Sequence, residues 1–250
     1  MSVKALVLRS VGTNCDLETR QALKSAGAKV DVLHLNQILQ KPEQLLAFSI
    51  LVIPGGFSYG DDIAAGKILA NELKFKIGAQ LQQMARLGHL IIGICNGFQV
   101  LVKTGLLPGY EDFSFQQNST LTQNLSGRFQ CEWVALKREN SCAQYLKGIP
   151  LHFELPIAHG EGNFVTKDLK ILQEIEKNKQ VVFRYEGKNP NGSMNAIAGI
   201  CNQKGNVLGL MPHPERYITQ FQHPAWTKLK LKVKTPGFLF WKGAVDFVKR

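Results

Sequence analysis

An open, mostly parallel α/β sheet flanked by helices is the architecture this sequence predicts, and three observations predict it. The runs SILVIPGG (49–56) and HLIIGI (89–94) are continuously apolar up to their turn residues, the pattern of strands buried on both faces. Helical stretches alternate with such runs through the first half, which implies crossover connections between parallel strands. The 250 residues are 44% hydrophobic and 20% charged, ordinary globular usage, and long enough to bury a core without staples. With no repeat, low-complexity segment or clear linker, residues 1–250 read as one domain.

In chain order, VKALVLR (3–9) predicts the first strand. Asp16 predicts the cap of a helix running through Ala26, with Gly27 to stop it. KVDVLHL (29–35) alternates apolar and polar residues and predicts a strand. A short helix is expected at 42–47, with Pro42 in its first turn. The strand at 49–53 precedes a long helix from Lys67 to Leu87, closed near Gly88. The strand at 89–94 leads into the helix NGFQVLVKTG (96–105), ended by Gly105. The second half is more mixed. RFQCEWVAL (128–136) and VVFRYEG (181–187) predict strands, and 167–177 a short helix. AIAGICNQKGNVLGLMP (196–212) predicts a hairpin turning at Lys204-Gly205, and FLFWKGAVDFVKR (238–250) a final helix. Ligands of parallel sheets gather at the carboxyl ends of strands, so the turns after Ile53 and Ile94 are where function is expected.

Composition excludes several classes. No apolar run reaches the roughly 18 residues needed to span a bilayer. The opening MSVKALVLRSVG is broken by Lys4 and Arg9 and predicts a strand in place of an export signal, so a cytoplasmic location is expected. Five cysteines (Cys15, Cys95, Cys131, Cys142, Cys201) form no CxxC pair, so neither a disulfide framework nor a metal site is expected. The net charge of +11, from 30 Lys+Arg against 19 Asp+Glu, suits nucleic acid, phosphorylated ligands or an acidic partner. No nucleic-acid motif accompanies it. Neither a P-loop nor a GxGxxG fingerprint is present.

The strongest chemical signal is LIIGICNGFQVLV (90–102), where a buried strand meets a helix at Gly93-x-Cys95-x-Gly97. Glycines flanking a side chain on a sharp strand-to-helix turn are the signature of an exposed nucleophile. The helix start aims N–H groups near the sulfur, a setting that favours thiolate. The Asn96 N–H then stands ready for an oxyanion. The other four cysteines lack this setting and are expected to be structural. A thiolate nucleophile needs a base and the base an orienter. GLMPHPERY (209–217) offers His213 between two prolines, with Glu215 two residues on. His159-x-Glu161 in AHGEG (158–162) has the same spacing, and spacing alone does not choose between them. PGGFSYGDD (54–62) is a turn of small residues suited to a second oxyanion donor.

These residues resemble the class I glutamine amidotransferases, which use a Cys-His-Glu triad on a flavodoxin-like sheet, and within them the glutaminase subunits of phosphoribosylformylglycinamidine synthases. The motifs are VGTNCD (11–16), PGGFSYGDD (54–62), GICNGFQVL (93–101), NLSGRF (124–129), PIAHGEGNF (156–164), NPNGS (189–193), IAGI (197–200) and MPHPER (211–216), in family order. The resemblance favours His213 with Glu215 over His159. It implies that Cys95 attacks the carboxamide of glutamine, that His213 moves the proton and that Glu215 orients the imidazole. It implies Gly56 and Asn96 as oxyanion donors, and Gly55, Phe57, Gln99, Asn124, Ser126 and Phe129 as glutamine contacts. It implies no cofactor on this chain; ATP and Mg²⁺ belong to a synthetase subunit that receives the ammonia, with a small third subunit usual beside it. Low activity of the chain alone is expected, from a Gly55–Phe57 loop ordered only against that partner. Two departures stand out. Ala64 occupies a position where many small relatives carry Arg, and the tail around 218–238 is longer and more basic than expected, with Lys228, Lys230, Lys232 and Lys234 alternating as on an edge strand. Other readings are a glutaminase or γ-glutamyl hydrolase of another pathway, or a non-catalytic scaffold on this fold.

Overall fold

The computed structural model describes residues 2–109, 114–228 and 234–249. The first half follows the predicted alternation: β1 (Lys4–Arg9), α1 (Asp16–Ser25), β2 (Lys29–His34), α2 (Leu35–Gln40), β3 (Ile50–Ile53), α3 (Lys67–Arg86), β4 (Leu90–Ile94) and α4 (Asn96–Thr104). Two starts differ from expectation. Cys15, not Asp16, is the N-cap of α1, and it makes no side-chain cap; the Asp16 carboxylate turns to Arg9 at 3.5 Å instead. The short α2 was not anticipated, because its cap is a histidine: His34 Nδ1 accepts the Asn36 N–H while Gln37 closes the box from the other side. The segment at 42–47 is a 3₁₀ helix with Pro42 in its first turn.

The second half adds β5 (Ser119–Thr122), β6 (Gln130–Arg138), β7 (His152–His159), β8 (Asn163–Thr166), α5 (Leu169–Lys177), β9 (Val181–Tyr185), β10 (Ile197–Cys201), β11 (Val207–Leu210) and α6 (Pro236–Phe247). Asp168 caps α5 through the Ile171 N–H, and Thr235 caps α6, which starts two residues before the predicted Phe238. β5 and β8 form a small separate sheet. Of the predicted Lys228–Lys234 edge strand, residues 229–233 lie outside the described residues.

The large sheet has nine strands in the order β2-β1-β3-β4-β11-β10-β9-β6-β7. The first five are parallel neighbours, and the pairings from β11 outward are antiparallel. The order 2-1-3-4 followed by β11 is the doubly wound order, which opens a crevice at the carboxyl ends of its strands. β3 and β4 are buried at every residue, as their continuous apolar sequence requires. β2, at the sheet edge, is only half buried. No helix among the described residues is long and apolar enough to cross a membrane.

Register places the chemistry. β11 lies parallel to β4 with Gly209 opposite Gly93 and Leu210 opposite Ile94, so the two chains leave the sheet side by side. The Cys95 N–H donates to the Leu210 carbonyl (2.8 Å), and the His213 N–H to that of Pro156 on β7 (2.9 Å). The start of α6 presses on the turn after β11: a side chain on Gly237 would run into the carbonyls of Pro214 and Tyr217.

Candidate active site

Cys95 caps α4 at φ 52°, ψ −107°, a conformation rarely held by a residue with a side chain. The turn is possible because its neighbours carry none. A Cβ on Gly97 would enter the Ile53 carbonyl, and one on Gly93 the carbonyl of Gly97. The buried Cys95 Sγ donates to the Ala158 carbonyl at 3.5 Å. As the first helical residue, Asn96 has an N–H with no partner inside the helix.

His213 and Glu215 are 1% and 0% exposed, and Nδ1 of the ring lies 2.6 Å from Glu215 Oε1. The 3₁₀ turn Pro214–Arg216 folds the glutamate back onto its own histidine. Burial opposes charge on this ring, but the Glu215 carboxylate, helped by the Cys95 and Cys15 sulfurs, overrides it and holds its pKa well above the ordinary histidine value. The other ring nitrogen, Nε2, is buried with no protein partner. Gly55 borders both the ring and Cys95: a Cβ there would stand 2.9 Å from His213 Cε1 and 3.4 Å from Cys95 Cβ. The fold thus brings the sequence-predicted Cys95, His213 and Glu215 into one neighbourhood.

The turn after β3 is tied down in the chain by itself. Asn14 and Cys15 N–H groups donate to the Gly55 carbonyl (3.4 and 3.2 Å), Phe57 N–H to Gly12 (2.9 Å) and Tyr59 N–H to Val11 (2.9 Å). These bonds leave the Gly56 N–H outside the clamp, with Gly56 at φ 144°. The expectation of a loop ordered only against a partner therefore meets a loop already held by the VGTNCD segment. Asn96 extends the hold: its Oδ1 accepts the Ser58 N–H (3.2 Å), and its Nδ2 donates to Asp61 (3.1 Å) and Gln99 (3.0 Å).

A pocket of about 230 Å³ opens over Cys95, walled by Gly56, Phe57, Gln99, Phe129, His159 and Glu161 among others. Phe57, Gln99 and Phe129 thus stand where glutamine contacts were expected, with Gln99 Nε2 held by the Glu161 carbonyl at 2.5 Å. Gly55, Asn124 and Ser126 do not line it. Gly55 instead borders His213 and Cys15. Ser126 faces outward to Arg128 and Gln130. Asn124 is a buried brace: it donates to the carbonyls of Arg128 and His159 and accepts from the Gly162 N–H and His159 Nδ1. His159, buried and near His213, is kept neutral, its pKa lowered to about 4 first by desolvation and then by the charge on His213. Burial raises the pKa of Asp61, against the hydrogen bonds it accepts, and lowers that of Lys103 beneath the pocket.

Three neighbours were missed. Ala158 and Glu161 come from β7 and the turn after it, an element that Pro156 hid from a strand reading. Cys15, expected to be structural, sits against the triad: its Sγ lies 3.1 Å from where a Gly55 Cβ would be, receives the Arg216 Nη2 donor at 3.1 Å and donates to Asn14 Oδ1 at 3.2 Å. Desolvation first of all raises the pKa of its thiol.

Residues 2–248 match the family described as the CobB/CobQ-like glutamine amidotransferase domain. A phosphoribosylformylglycinamidine synthase subunit PurQ from Dehalococcoides mccartyi is 43% identical, over 99% of this chain and 98% of its own. A protein of the same description from Treponema denticola is 39% identical, over 99% and 100%. Among solved structures, PurLQS from Thermotoga maritima matches with a TM-score of 0.76 and 33% identity over 99% of both chains. A glutamine amidotransferase from the same organism, 15% identical with a TM-score of 0.57, shares the fold.

Proposed function

The chain belongs to the CobB/CobQ-like glutamine amidotransferase family, and on that premise we propose that it is the glutaminase subunit of a phosphoribosylformylglycinamidine synthase. It hydrolyses L-glutamine to glutamate and passes the ammonia to a synthetase subunit. That partner, using ATP and Mg²⁺, converts formylglycinamide ribonucleotide to the amidine in purine biosynthesis, with a small third subunit completing the complex. The near full-length similarity to PurQ subunits and to the PurLQS structure supports this reading.

The single observation that carries the chemistry is the His213–Glu215 pair, whose ring borders Gly55 together with Cys95. Cys95 Sγ attacks the side-chain carboxamide carbon of glutamine. The Gly56 and Asn96 N–H groups receive the oxyanion. His213, charged by the proton that the Cys95 thiol gives up, delivers that proton from Nε2 to the departing nitrogen, which leaves as ammonia. Water then enters, gives its proton to His213, and releases glutamate from the thioester with the sulfur restored. Glu215 keeps the ring oriented through Nδ1 and favours its charged form. Phe57, Gln99, Phe129, Ala158 and Glu161 form the glutamine pocket.

The test is glutamate release by wild type and Cys95→Ala, each with and without synthetase, ATP and formylglycinamide ribonucleotide. Release that rises with those additions and vanishes in the variant is the expected result. Release indifferent to them moves the chain to another pathway. No release from wild type, beside a synthetase working on free ammonia, defeats the catalytic reading.

A further inference from the structure

The VGTNCD segment brings to the triad a second thiol that glutamine hydrolysis does not use. Cys15 Sγ, a ring nitrogen of His213 and a carboxylate oxygen of Glu215 all lie within 4.8 Å of one another, and all three residues are buried. No other group of three such donors meets that closeness among the described residues. Thiolate, imidazole and carboxylate together are the donor set of zinc, bound at about 2.0–2.3 Å in a tetrahedral shell. Such a shell needs donors closer to one another than 4.8 Å, so the three side chains draw together when the ion binds.

Two further observations point to a cation here. Glu215 is 0% exposed, yet its Oε2 has no hydrogen-bond donor, as does His213 Nε2. The first is not required by catalysis, which uses Oε1, and an unmatched carboxylate oxygen in the interior is costly. The space between ring and thiol is also kept open by a residue without a side chain, since a Gly55 Cβ would stand 2.9 Å from the ring and 3.1 Å from Cys15 Sγ. The Arg216 guanidinium donates to Cys15 Sγ at 3.1 Å, an outer hydrogen bond of the kind that steadies a metal-bound thiolate.

We propose that Cys15, His213 and Glu215 form a binding site for a thiophilic divalent cation such as zinc, and that its occupation switches the glutaminase off by withdrawing His213 from Cys95. The effect on turnover rests on the reading of His213 as the base; the binding does not.

The experiment uses zinc and cobalt(II) as probes on wild type, Cys15→Ala and Cys15→Ser, with the synthetase present for the activity arm. Metal uptake is read by equilibrium dialysis and by thiolate-to-cobalt absorption, independently of turnover, and zinc-dependent thermal stabilisation gives a third readout. Wild type is expected to take up one ion, lose glutaminase activity in buffered micromolar zinc and recover it with a chelator. Both Cys15 variants are expected to bind at least about tenfold more weakly. Equal zinc affinity in wild type and variants overturns the proposal, because Cys95 and His213 would then hold the ion unaided. Failure of wild type to bind cobalt or zinc overturns it as well. Stoichiometric, Cys15-dependent binding in a protein with no glutaminase activity upholds the site and faults the functional reading instead.

Discussion

Two histidines flank Cys95, each followed two residues later by a glutamate, and the structure gives them opposite characters. His213 is folded onto Glu215 by a proline-bounded 3₁₀ turn and is held charged. His159 ends β7 and the chain bends at Gly160 before Glu161, so the ring turns to Asn124 while Glu161 reaches the Ala65 N–H at 3.1 Å. One spacing thus yields a pair in a 3₁₀ turn and two separate contacts where the chain leaves a strand. The backbone between the residues, not their separation, decides which histidine pairs with its glutamate.

The largest expected effect separates the two directly. His213→Gln is expected to lower glutaminase kcat by about 10⁴-fold, as loss of a triad base does, and His159→Gln by less than about tenfold. Comparable losses in steady-state assays would erase the distinction. The glutamates sharpen it: Glu215→Gln is expected to cost about 10³-fold in kcat, because the ring loses the partner that sustains its charge, and Glu161→Gln under tenfold.

The histidines also tilt stability in opposite directions. The depressed pKa of His159 means that, between its ordinary value near 6.5 and about 4, the unfolded chain binds a proton that the folded chain refuses. Stability therefore falls as pH drops through that window, by up to about 3 kcal/mol. The raised pKa of His213 acts the other way: its contribution is full below 6.5 and is lost as pH rises through its folded value. Urea titrations across pH are expected to show His159→Gln flattening the acid limb alone and His213→Gln the alkaline limb alone. The smallest effect concerns the brace. Asn124→Ala removes four hydrogen bonds, three of them buried and two to His159, and is expected to destabilise by about 2 kcal/mol, read by urea unfolding, with kcat changed far less than by Glu215→Gln.

Much of this was legible from the sequence, for reasons that differ by region. β3, β4 and the Cys95 elbow announce themselves because burial on both faces leaves an unbroken apolar run, and a sharp turn demands glycines. The β10–β11 hairpin is readable from its turn residues. β7 was not, since Pro156 and alternating polar residues disguise an edge strand that nonetheless anchors His213 and faces Cys95. The place of Cys15 was invisible for another reason: it follows from backbone bonds between residues 11–15 and 55–59, and backbone groups carry no sequence signature. Asn124 and Ser126, expected to touch glutamine, lie one layer out, because a motif marks a segment's importance without marking which atoms face the pocket.

The position of β11 sets an order on how this molecule comes into being. It is inserted between β4 and β10, so a chain that has emerged only through α4 possesses the elbow, the turn after β3 and the clamp, but presents β4 as an open edge. Its Cys95 lacks His213, and its last strand has no neighbour on one side. Both deficits end together when residues 207–213 arrive, since the same pairing that seals the sheet delivers the histidine. A nascent or truncated chain can therefore be sticky, but it cannot spill ammonia.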